Sequence, residues 1–177
     1  RATLLAHDTD PFARWEAGRG LAIDALIARA TGTADAGAAY IAAIGDFLRD
    51  AAADPAFAAL VLRLPPEEEA ASVIADRGLT PDPDAIHAAR EALAHDLAAA
   101  NEAALAGLYD AMAVPGPYAP DAAPAGQRAL RLDALAALAQ DLAVHHGALR
   151  GLGVRGAQVL QDLVPPALAL GDLYRLG

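Results

Sequence analysis

Three times this chain places Asp-Pro ahead of an apolar stripe at helical spacing: Asp10-Pro11, Asp54-Pro55 and Asp82-Pro83. An aspartate just before a helix accepts a hydrogen bond from a backbone N–H that has no partner within the helix. Proline at the first helical position gives up an N–H that would have been unpaired anyway. Such starts commit the chain to helices. The first is followed by Phe12, Trp15, Ile23, Leu26, Ile27 and Ala30 on one stripe, and the second by Phe57, Leu60, Val61 and Leu64, expected to face inward. The third and longest carries Ile86, Leu93, Leu97, Leu105, Leu108 and Met112 on one face.

Between these starts, Tyr40, Ile41, Ile44, Phe47 and Leu48 predict a helix over 36–52. Glu67, Glu68 and Glu69 open a short helix reaching Gly78, with carboxylates at the positive end of its dipole. The stretch VPGPYAPDAAPAG, 114–126, reads as a Pro-rich connector outside regular structure. A helix over 127–146 and two shorter helical pieces, split at Pro165-Pro166, complete the chain. No alternating strand pattern of useful length occurs. The expectation is an all-α chain of about seven or eight helices, read as one helical domain over 1–177. Antiparallel pairs joined at Pro-marked turns suit a HEAT- or armadillo-like solenoid, with an irregular helical bundle as the rival.

Composition narrows the functional classes. The hydrophobic share is 55%, yet much of it is Ala, the strongest helix former, and aromatics make up only 5%. There is no Cys, which excludes disulfides and thiolate metal sites, and all 13 basic residues are Arg. A net charge of −10 opposes nucleic-acid phosphates and anionic lipid surfaces. No apolar run approaches the roughly 20 residues of a membrane span. The chain reads as soluble and cytoplasmic.

Candidate chemistry is sparse. His87, Glu91 and His95 share one face of the long helix, but the two His stand about 12 Å apart in rise, too far to hold one ion unaided. A solvated Glu-His face is the expectation. Residues 151–156, GLGVRG, match GxGxxG letter for letter but lack the strand and βαβ context of a dinucleotide site. His145-His146 suit a helix C-terminus, and Ser72, the only Ser, has no evident base beside it. No catalytic, cofactor or metal residue is assigned.

The distinctive residues lie early, in HDTDPFARWEAGR, His7 to Arg19. Phe12 and Trp15 share a helix face, Arg14 and Glu16 diverge, and Arg19 stands four residues after Trp15, in position to stack on it. From these residues alone, Phe12, Arg14, Trp15, Glu16 and Arg19 are expected to form a helix-start packing motif.

LLAHDTDPFARWEAGR, Leu4 to Arg19, resembles a segment of bacterial aminopeptidase N, a zinc metallopeptidase family. Leu62-Arg63-Leu64-Pro65, the run from Asp82 to Glu91, and the run from Ala125 to Arg131 resemble it further, in the same order. The resemblance covers about residues 3–142 and departs from the family pattern at Leu132-Asp133. It implies a noncatalytic helical C-terminal region that packs on and caps the catalytic domain of an enzyme removing N-terminal residues from peptides. That family's HExxH zinc motif and GAMEN loop are absent from this chain, so zinc belongs by resemblance to the parent enzyme. The implied partners are the parent's catalytic domain and its peptides, and Phe12, Arg14, Trp15, Glu16 and Arg19 fall at a domain junction. The alternative is a free-standing helical-repeat module that binds a protein or peptide.

Overall fold

The structure is a computed structural model describing residues 1–32 and 37–144, with side chains through residue 139. Seven α-helices occur among the described residues: α1 (Ala2–His7), α2 (Pro11–Ala30), α3 (Gly37–Leu48), α4 (Pro55–Leu62), α5 (Glu67–Asp76), α6 (Pro83–Ala111) and α7 (Ala122–Val144). One 3₁₀ turn, Ala51–Ala53, follows α3, and no strand is present among these residues. The chain divides into two units, Arg1–Asp141 and Leu142–Gly177, and the first is described here. The expected single domain over 1–177 extends past the described residues. The helical pieces around Pro165-Pro166, the pair His145-His146 and the glycine run at 151–156 also lie outside them.

Each Asp-Pro pair starts a helix through the same bond. Asp10 Oδ1 accepts from the Phe12 N–H at 3.1 Å, and Asp54 Oδ1 from that of Phe57 at 3.1 Å. Asp82 Oδ1 accepts from Asp84 and Ala85 at 3.0 and 3.3 Å. At the other end, Gly32 and Gly78 take φ of +65° and +76° just past α2 and α5, a backbone state that favours glycine.

The central element is α2, which packs against α1, α3, α4, α5 and α6. Leu5, Leu26, Tyr40, Ile44, Leu93, Leu105 and Leu130 are almost fully buried between these helices, with Ala filling the close approaches. A smaller cluster of Ile23, Ile27, Ala70, Ile74 and Ile86 holds α5 against α2 and α6.

Four features differ from the sequence reading. Helix α1 lacks a side-chain cap and is too short for a visible stripe, yet Leu5 is fully buried on Gly18. Helix α7 begins at Ala122, inside the expected connector. Pro124 is tolerated there because it falls in the first turn, where a backbone N–H has no helical acceptor. Leu60 is 52% exposed, because α4 is apolar around most of its circumference and Ala58, Ala59, Val61 and Leu62 supply its core face. Finally, α6 breaks regular geometry at Asn101 (φ −121°, ψ 16°), whose buried Nδ2 donates to the Leu97 carbonyl at 2.9 Å.

Candidate docking groove along the second helix

The turn into α2 sets the geometry. Asp8 Oδ1 accepts from the Asp10 N–H at 2.9 Å, and Asp10 caps the helix, so the side chains that follow leave the axis at defined angles. Phe12, Glu16, Gly20 and Asp24 recur every four residues along one flank. Trp15, Arg19 and Ile23 form the neighbouring row. Across from them, α5 presents Glu69 and Val73, Arg77 follows at its C-terminal end, and Arg1 and Leu4 complete an open groove of about 610 Å³.

Its charged wall is internally bonded. The Arg19 guanidinium lies 5.1 Å from the Trp15 ring centroid and donates from Nε to Glu69 Oε1 at 2.9 Å and from Nη2 to Glu69 Oε2. A planar fork that stacks and bonds at once is a property of arginine rather than lysine. At the far end Arg1 donates to the Gly20 carbonyl at 3.1 Å and to Asp24. Arg77 donates to the other Asp24 oxygen at 3.1 Å. Phe12 is 64% exposed, with its ring tilted 38° to that of Trp15 at 5.9 Å between centroids. Trp15 is half-buried and Glu16 exposed.

The structure therefore brings together four of the five residues singled out in the sequence: Phe12, Trp15, Glu16 and Arg19 all line the groove. Arg14 turns the other way. Its Nε donates to the Leu5 carbonyl at 2.9 Å, and its guanidinium carbon lies 5.5 and 5.2 Å from the Phe47 and Phe57 ring centroids. It ties α1 to α2 and closes over two core aromatics. Sequence reasoning passed over Arg1, Asp24, Val73 and Arg77. Helical spacing from Phe12 would have found Asp24, but nothing local announces that α5 lies across from it.

The remaining candidates do not converge. His87 Nδ1 meets Glu67 Oε1 at 2.9 Å across α5 and α6, and this bond, with the Glu67 charge, raises the His87 pKa above its usual value. Two members of the glutamate run thus bridge to other helices, Glu67 to α6 and Glu69 to α2, beyond matching their own dipole. Ser72 is exposed on α5. No group of three or more His, Cys, Asp or Glu is placed to hold a metal ion among the described residues. No described helix is long and apolar enough to cross a membrane.

An all-helical array with a shallow amphipathic groove is the architecture of a repeat-type scaffold. The chain belongs to the family described as a domain of unknown function (DUF3458_C) of ARM repeats, whose model matches residues 1–164. It is 40% identical over 181 aligned residues to aminopeptidase N of Caulobacter vibrioides. That alignment takes in 99% of this chain and 20% of the relative, so the chain spans about a fifth of the relative's length. Aminopeptidase A of Legionella pneumophila, solved with aspartic acid, shares the fold at a TM-score of 0.63 and 22% identity. The superposition covers 78% of this chain and 17% of that one. Both sequence matches run past residue 142, further than the motifs alone could trace the likeness.

Proposed function

We propose that this chain is the noncatalytic helical C-terminal region of a zinc-dependent bacterial aminopeptidase N, a cytoplasmic enzyme that removes N-terminal residues from peptides. Its role is to pack on the catalytic domain and restrict entry to the active-site chamber. The observation that carries the proposal is the 40% identity with an aminopeptidase N along nearly the whole chain, which spans only a fifth of that relative. The exposed Phe12 and half-buried Trp15 on α2 support it, since an aromatic pair at a groove suits burial against a neighbouring domain.

The test is hydrolysis of an aminoacyl-amide by the purified 177-residue chain, with its zinc content measured by mass spectrometry. The expected result is hydrolysis at the blank rate and less than stoichiometric zinc. Turnover that copurifies with the chain and is lost on chelation would overturn the proposal.

A further inference from the structure

The groove along α2 is polarised, and its polarity describes what covers it. Phe12 and Trp15 form an aromatic end. One turn on stands Glu16, exposed and without an ion pair among the described residues. At the other end two guanidiniums, Arg1 and Arg77, share the single carboxylate of Asp24 and leave an uncompensated positive charge. Arg19 and Glu69 neutralise one another between the two ends. From Phe12 to Asp24 the helix rises about 18 Å, which an extended strand covers in five or six residues at roughly 3.3 Å each.

We infer that the groove holds an extended segment of the parent protein outside this chain, reading apolar, then basic, then acidic. Its apolar side chain lies on Phe12 and Trp15, its basic one meets Glu16, and its acidic one meets Arg1 and Arg77. The inference rests on the proposed function and deepens it by naming the surface and the chemistry of its occupant. Two observations commit it to that occupant. The aminopeptidase N relative has four-fifths of its length beyond the aligned part, and the charges along the groove are left open in a fixed order. Arg14, bonded inward to Leu5, takes no part in the contact.

The experiment uses the complete protein encoded by the reading frame that contains this chain. A photoreactive phenylalanine analogue replaces Phe12, or, as a control on another face, the exposed Leu132 of α7. Cross-linked peptides are mapped by mass spectrometry. The expected result is a cross-link from position 12 to a segment outside these 177 residues with basic and acidic neighbours in the stated order. Its yield falls at least about tenfold when Glu16→Arg sets like charges against one another. Cross-linking from position 132 but not from position 12 overturns the groove while leaving the domain reading intact. A frame that ends with this chain, or no cross-link to any outside segment from either position, overturns both.

Discussion

Arginine serves this fold in two ways, in ion pairs such as Arg19 with Glu69 and, at several places, by closing backbone carbonyls. Arg14 donates to Leu5, Arg90 to Pro65, Arg128 to Ala119 and Arg131 to Tyr109. Arg14, Arg128 and Arg131 also lie over aromatic rings, with Arg131 4.2 Å from the Tyr109 centroid. A guanidinium bonds through its edge and stacks through its face, which an ammonium cannot do. Arg14→Ala is therefore expected to lower stability by about 1–3 kcal/mol, through the lost bond and two ring contacts. Arg14→Lys should recover only part of that, read as urea midpoints at constant slope. Trp15→Ala in the isolated chain should cost less than the roughly 3–5 kcal/mol of a fully buried ring, because Trp15 is only half-buried. Arg19 over Trp15 was legible, since four residues is a helical neighbour distance. The inward role of Arg14 was not legible, because its partners sit on α1, α3 and α4, elements whose juxtaposition no local pattern encodes.

At the scale of the element, the helix starts were readable because capping is local chemistry, complete within three residues. Where a helix is uniformly apolar, as in α4, or interrupted without a Pro or Gly, as in α6, periodicity loses its direction. The interruption at Asn101 is matched by Gly45 on α3, where an added Cβ would sit 2.7 Å from Asn101 Oδ1. Gly45→Ala should destabilise by about 1–3 kcal/mol, as overpacking does. Adding Asn101→Ala should recover part of the loss, and a double-mutant cycle measures that coupling. The bridge between α5 and α6 adds a pH dependence. Glu67 raises the folded-state pKa of His87, aided by Glu91 and opposed by Arg90. Its contribution is full below the unfolded value near 6.5 and fades as pH rises through the raised folded value. The melting temperatures of wild type and His87→Gln should accordingly differ more at pH 6 than at pH 8 (about half a unit below and about one and a half units above an ordinary histidine). An equal difference at both would remove the bridge from the account.

For the whole molecule, the all-helical class followed from three Asp-Pro starts and the lack of alternation, whereas the partnership of α2 with five other helices had no sequence signal. The groove was legible on its α2 side alone, because α5 reaches it from some fifty residues away, as the Arg19–Glu69 bond shows. On the proposed function, this helical unit is one part of a longer protein and docks through the aromatic end of α2. Hydroxyl-radical footprinting of Phe12 tests it most directly, comparing the isolated chain with the complete protein of its reading frame. Phe12, 64% exposed in the chain alone, should be labelled readily there and be strongly protected in the complete protein. Equal labelling of Phe12 in the two would contradict the account.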